Sequence, residues 1–199
     1  IHLSNTEVHL ADSAHLKDFT LTIGGSATRQ QGFITFEGEH SESYVSGAFL
    51  LTGKQHNDTR LVIDHAVPNC LSRELFKCVM DEAARGVFQG KAIVRRDAQK
   101  TDGNQPSHAL LLSDEAEFDA KPELEIYADD VVCGHGATSG DLDENQMFYL
   151  RARGISETEA KSMLIGAFAA EAFDDVESDA IRDVLGGLAE GWLARRKGG

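Results

Sequence analysis

The stretch "LEIYADDVVCGHGATSGDLDENQMFYLRARG", Leu124–Gly154, changes its hydrophobic period partway through. Up to Thr138 it reads as β-strand: "LEIYA" and "DVVCGH" are short, rich in Leu, Ile and Val, and punctuated by Asp and Gly. Beyond it the chain reads as helix. Asp141 is a candidate N-cap with Glu144 three residues on, and Gly154 is a C-terminal stop. One boundary near Thr138 therefore separates two kinds of chain, residues 1–138 and residues 139–199.

Upstream the same strand-like grammar repeats. "FTLTIGG" (Phe19–Gly25), "GFITFEG" (Gly32–Gly38), "GAFLLTG" (Gly47–Gly53), "TRLVIDH" (Thr59–His65), "GKAIVRR" (Gly90–Arg96) and "HALLLSD" (His108–Asp114) are all brief β-prone runs. The alternation in "FTLTI" and "FITFE" sends one set of side chains inward and the other outward. Many short strands with frequent turns define a sandwich, a barrel or a β-solenoid. No clean hexapeptide period appears, so periodicity alone leaves the three open. One interruption, "PNCLSRELFKCVMDEAARG" (Pro68–Gly86), fits a helix or a strand plus loop, because Phe76, Val79 and Met80 suit either period.

Downstream, Ser156 and Glu159 form an S-x-x-E capping box ahead of "AKSMLIGAF". Ala160, Met163, Leu164, Ala167 and Phe168 follow at helical spacing and predict one apolar face. A further helix is predicted with Ile181, Val184, Leu185, Leu188 and Trp192 on its apolar face. Gly186 and Gly187 weaken it by about 1 kcal/mol each relative to Ala, so it relies on packing. The basic end "ARRK" suits a helix C-terminus.

Composition narrows the function classes. The 199 residues are 41% hydrophobic and 26% charged, enough for one substantial core and unlike a disordered chain. Asp and Glu total 33 against 19 Lys and Arg, a formal charge of −14. Such a surface repels phosphate backbones and anionic lipid, which speaks against nucleic-acid or membrane partners. No apolar run approaches the roughly 20 residues that span a bilayer. The chain opens on Ile1 without an initiator Met and is already alternating, so it reads as a fragment of a longer protein. Three cysteines, Cys70, Cys78 and Cys133, are too few and too unevenly placed for a disulfide framework, and point to a reducing, cytoplasmic setting.

Cys133 and His135 are the pair with chemistry. On a strand they point to one face about 7 Å apart, with Gly134 and Gly136 leaving backbone room beside them. A cationic His near a thiol favours the thiolate, and thiolate and imidazole both ligate iron or zinc. Two ligands make half a site, since zinc takes four protein ligands or three plus water. The alternative is a small buried Cys and a hydrogen-bonded His at a strand end. A Cys–His catalytic pair is weaker, because i, i+2 neighbours on one strand rarely meet. His9, His15 and His40 read as solvated, His65 and His108 as strand-end residues, and Cys70 and Cys78 as core or turn residues.

The opening stretch, extended as "LEIYADDVVCGHGATSGDLDENQMFYLRARGISETEAKSMLIGAF", resembles the SufB/SufD family of iron–sulfur cluster assembly scaffolds. The resemblance runs from about Leu61 to Phe173; the segments before Thr59 and after Phe173 are compatible with it. Cys-Gly-His-Gly-Ala-Thr stands where the SufB branch carries acidic residues, so the likeness is to the C-terminal portion of the SufD branch. Gly134 departs from the commoner Ser and leaves the same-face geometry intact.

The resemblance implies a mainly β chain with C-terminal α: a right-handed parallel β-helix core followed by a small helical domain. It implies a non-catalytic scaffold that pairs with SufB through the β-helix end and binds the SufC ATPase through its C-terminal helices. Cys133 and His135 become an interface pair for a transient iron–sulfur cluster or iron, with no cofactor stably bound to the chain alone. Met163, Leu164, Ala167 and Phe168 become candidate SufC-binding residues. A homodimer through the exposed last rung is an expected alternative when SufB is absent. The competing readings are a SufB-like paralogue, a β-solenoid enzyme, or an interaction module without a metal role. An enzyme would need a carboxylate or His cluster on the solenoid wall, or a regular hexapeptide repeat.

Overall fold

The structure, a computed structural model, describes residues 1–196. Ten strands alternate between two sheets. One stacks β1 (His2–Leu10), β3 (Ala27–Phe36), β5 (His56–His65), β7 (Arg85–Val94) and β9 (Glu117–Ile126) in that order. The other stacks β2 (His15–Ile23), β4 (Glu42–Leu51), β6 (Leu71–Met80), β8 (Asp102–Leu111) and β10 (Val132–Gly140). All pairings are parallel. Each turn of chain gives one strand to each sheet, so the sheets wind into a β-solenoid of five turns. Glu42 pairs with Leu71 and Leu71 with Asp102, so successive turns take 29 and 31 residues. That unevenness is why no short fixed repeat shows in the sequence.

The corners force tight reversals. Ser13, His40, Asn69, Glu82 and Lys100 sit there with φ between 56° and 62°. A left-handed non-glycine residue costs about 1–2 kcal/mol. Backbone bonds between turns hold some of these corners, as from Ser13 N to Glu39 O and from Asn69 N to Gln99 O, each 2.9 Å.

Side chains alternate in and out of the solenoid, and the interior divides into two lanes. The apolar lane holds Phe49, Phe76, Phe88, Ile63, Cys78 and Met80, all buried. The ring centroids of Phe76 and Phe88 lie 4.4 Å apart. Small and large residues interlock across the turns: a Cβ on Gly47 would come within 2.7 Å of the Phe76 ring. Burying one such Phe contributes about 1.5–3 kcal/mol. The other lane is polar, with Ser43, Asn57, Thr59, Ser72, Glu74 and Gln105 turned inward and buried.

The strands are longer than the alternating runs that predict them, because their first halves turn polar residues inward. Pro68–Gly86 proves to be strand β6, a turn, and the start of β7, with no helix. Ser72, Glu74, Phe76, Cys78 and Met80 form its buried inward face. His108 stands within β8 rather than at its start.

Four short helical elements follow the solenoid: α1 (Glu144–Arg151), α2 (Glu157–Ala170), a 3₁₀ turn (Glu171–Phe173) and α3 (Asp179–Arg196). Asp143, not Asp141, caps α1; its carboxylate accepts from Asn145 N at 2.7 Å and Gln146 N at 3.0 Å. Asp141 instead accepts from Leu142 N. Gly154 does supply the stop, at φ 84°, and Ser156 caps α2 as its pattern predicts.

The helices cover a stacked column on the outer face of one sheet, Leu50, Val79 and Leu110, aligned by register. Ile165 and Ala169 of α2 and Ala189, Trp192 and Leu193 of α3 pack on it. The buried face of α2 is thus Ala160, Ile165 and Ala169, rotated from the predicted one, and it leaves Met163 and Ala167 exposed. On α3, Leu185 and Trp192 go in as expected, while Ile181, Val184 and Leu188 stay out. Both helices are apolar on more than one side, so spacing does not select the side that docks. Lys77 pins the junction: it is ion-paired to Glu171, its ammonium lies 4.5 Å from the Phe168 ring, and its side chain is 7% exposed. The last basic residue of the predicted helix end, Lys197, lies outside the described residues.

Candidate functional site at the open end of the solenoid

Strand β10 pairs with β8 along one edge only. Its register sets Cys133 opposite Gly103 and His135 opposite Gln105. On the outer face Thr138 Oγ1 hydrogen-bonds His108 Nδ1 at 2.7 Å. Cys133 packs against Val94, Ala98 and Ala128 inside the corner. Odd-numbered residues of β10 therefore face inward, and Cys133 and His135 share one face as their spacing requires. No strand lies beyond β10 among the described residues, so this inward face has no roof. Cys133 is half-buried and His135 exposed.

Burial pushes the Cys133 thiol up, opposed in part by a backbone hydrogen bond from Gly103. The other thiols are not placed for chemistry: Cys70 and Cys78 are buried, and burial drives Cys78 well above the usual thiol range. His65 is buried, stacked on Phe36 at 4.3 Å, and bonded through Nε2 to Ser72 Oγ at 3.0 Å. Its burial lowers its pKa to about 4, so it is neutral at physiological pH. Burial and the nearby Lys77 lower that of His108. His9, His15 and His40 are exposed beside carboxylates.

Among the described residues no three His, Cys, Asp or Glu side chains converge on a point that holds a metal ion. The chain brings two donors to the open end, a thiol and an imidazole, and both suit iron.

The candidates on α2 divide. Met163 and Ala167 are exposed, Leu164 is half-buried, and Phe168 packs toward the sheet beneath Lys77. Beside them a groove of about 810 Å³ opens between α1 and α2, lined by Leu142, Met147, Phe148 and Ile165. The buried acid Glu74 and its partner Gln105 went unread in the sequence. The available signal was a Glu in an otherwise inward, period-2 series, Ser72, Phe76, Cys78 and Met80.

A parallel β-solenoid with a helical cover on one sheet and a thiol and an imidazole on its last rung defines the class. A family model described as SUF system FeS cluster assembly, SufBD core domain, matches residues 1–168. The chain belongs to the SufBD family of iron–sulfur cluster assembly proteins, and within it is SufD-like. It is 39% identical over 194 residues, 98% of its length, to the iron–sulfur cluster assembly protein SufD of Escherichia coli. It is 34% identical over 175 residues, 88% of its length, to a SufBD family protein of Synechocystis. A SufBD family protein of Mycobacterium leprae is 31% identical over 193 residues, 93% of the chain. The chain spans 44%, 39% and 49% of these relatives, less than half of each. No helix among the described residues is long and apolar enough to cross a membrane.

Proposed function

We propose that the protein is a non-catalytic scaffold of the Suf system, pairing with SufB at the open end of the solenoid and building a transient iron–sulfur cluster there. The observation that carries this reading is the placement of Cys133 and His135 on the inward face of a last strand whose other edge is free. An unpaired parallel edge is a template for another chain's ladder. A second solenoid docking there would roof the pair and supply the ligands that complete the site. The cluster is cargo in this scheme, with iron held by the imidazole and thiolate only while the interface is closed. A homodimer through the same edge is the expected product when SufB is missing.

The helices bind the SufC ATPase in this proposal. Support comes from the apolar residues they leave outside: Met163 on α2, Phe148 on α1 and the stripe Ile181, Val184 and Leu188 on α3. Truncation after Gly140 should abolish SufC binding; full affinity in the truncated chain would end that assignment.

The decisive experiment assembles the SufB–SufC–SufD complex with His135→Ala and measures melting temperature, iron and cluster absorbance together. Loss of cluster at an unchanged melting temperature is expected. Normal cluster content, or loss only in step with unfolding, would return His135 to an ordinary strand-end residue. Cys133→Ser should show a weaker form of the same defect, since the SufB side is expected to bring the principal thiolate.

A further inference from the structure

Directly beneath the open end, the interior column on β4, β6, β8 and β10 runs Val45, Glu74, Gln105, His135. Val45 pairs with Glu74 and Gln105 with His135. Residues 74 and 105 stand level between the Arg73–Asn104 and Phe76–Ser107 pairs. The ladder skips that level, where Pro106 has no N–H to give.

The pair at this level is built into the core. Glu74 is 2% exposed and Gln105 1%. Gln105 Nε2 donates to Glu74 Oε2 at 2.6 Å. The amide reaches across to Gly90 on β7, where a Cβ would lie 2.0 Å from Nε2. Only glycine leaves that seat. One end of the amide is thus tied down, while the other, Oε1, is buried with no partner. A buried acceptor left unpaired costs about 1–3 kcal/mol.

The surroundings of Oε1 limit what satisfies it. Gly90 faces it from β7, and Pro122 lies next to Gly90 on β9. Gly103 and Ser107 flank it on its own strand, and the Ser107 hydroxyl, though buried and unpaired, makes no hydrogen bond to it. The space bounded by Glu74, Gly103, Gln105 and Cys133 is too tight for a water. His135, one rung up on the open end, is the ring with an N–H to give and room to turn. A neutral imidazole has one N–H and one lone pair, and the hydrogen bond at one nitrogen decides which nitrogen is free to ligate.

We propose that Gln105, anchored by Glu74, is a positioning residue for His135: its Oε1 accepts the ring N–H and leaves the opposite nitrogen's lone pair facing out of the open end. The use made of that lone pair rests on the cluster-building role proposed above; the hydrogen bond does not. Burial raises the Glu74 pKa to about 8, so the anchor is mostly an uncharged acid at neutral pH and sets no buried charge under the site.

The test is nitrogen-15 NMR of the histidine-labelled full protein, with melting temperature recorded alongside. His135 should show a single tautomer in the wild type and a mixture approaching free imidazole in Gln105→Met, which keeps the side chain's length without the acceptor. Glu74→Gln, which still accepts from Nε2, should keep the single tautomer, and Glu74→Leu should lose much of it. Should Gln105→Met not fold, Glu74→Leu with Gln105→Met leaves no orphaned partner and reads the same hydrogen bond. A single tautomer persisting in the folded Gln105→Met or double variant, or a mixture already present in the wild type, overturns the proposal. In the assembled complex, Gln105→Met should lower ferrous-ion affinity by about 10-fold. A tautomer that shifts without any change in cluster content upholds the positioning by Gln105 and removes the cluster role of His135, so the two readings fail separately.

Discussion

Strands β6 and β10 belong to the same sheet and run in the same direction, but they carry opposite burdens. All five inward residues of β6 are buried. Of the inward residues of β10, Cys133 is half-buried and His135, Ala137 and Ser139 are exposed. The difference lies in neighbours along the stack: β6 has β4 on one side and β8 on the other, while among the described residues β10 has only β8. Composition follows the role. Strand β6 fills its turn with Phe76, Cys78 and Met80, whereas β10 offers three glycines and small polar residues around one thiol and one imidazole. A middle strand is chosen for packing and the last one for what it presents.

Several substitutions test this contrast. Phe76→Ala removes a ring packed against Phe49 and Phe88 and should cost about 3–5 kcal/mol, read by denaturant unfolding. A loss below about 1 kcal/mol would mean that the middle turns are not the stable part of the molecule.

Next comes pH. The Glu74 carboxyl keeps its proton in the fold up to about pH 8, against 4.5 for an ordinary glutamate. Between those values the folded state binds more protons, so stability is full below about pH 4.5 and declines as pH rises to about 8. His65 acts in the opposite sense: with its pKa lowered from 6.5 to about 4, its contribution is full above 6.5 and is lost as pH falls to 4. The wild type should be most stable in the overlap, near pH 5–6. Glu74→Gln should abolish the alkaline decline, on the order of 2–4 kcal/mol, and leave the acid limb. An unchanged alkaline slope would relocate the responsible group.

Gly90→Ala drives a methyl into the Gln105 amide and should cost about 1–3 kcal/mol by overpacking. At the small end, Cys133→Ala on the roofless strand should cost less than about 1 kcal/mol, measured on the same unfolding curves. A cost equal to that of Phe76→Ala would show that β10 is a core strand after all.

The sequence made the second halves of most strands legible because their inward residues are apolar, as in Leu61 and Ile63 or Phe49 and Leu51. It hid the first halves, where Asn57, Ser72 or Gln105 points inward and no alternating apolar run marks the strand. Polar residues imitate a turn unless their buried partners are known, and those partners come from neighbouring turns about thirty residues away, as Gln105 is to Glu74. The shared face of Cys133 and His135 was readable from strand parity. Its openness was not, since exposure depends on whether another strand covers it. Cap chemistry located the start of α2, while the side on which it docks depended on the Leu50–Val79–Leu110 column.

That column has a mechanical consequence. The helices rest on β4, β6 and β8 together, with Lys77 as a rivet at the middle strand. Three turns are thus braced from outside as well as by their own ladders. The bracing ends at β8. Strand β10 lies outside it: it pairs with β8 and gives no side chain to the column that the helices cover. The rung that carries Cys133 and His135 is thus the one this clamp leaves out.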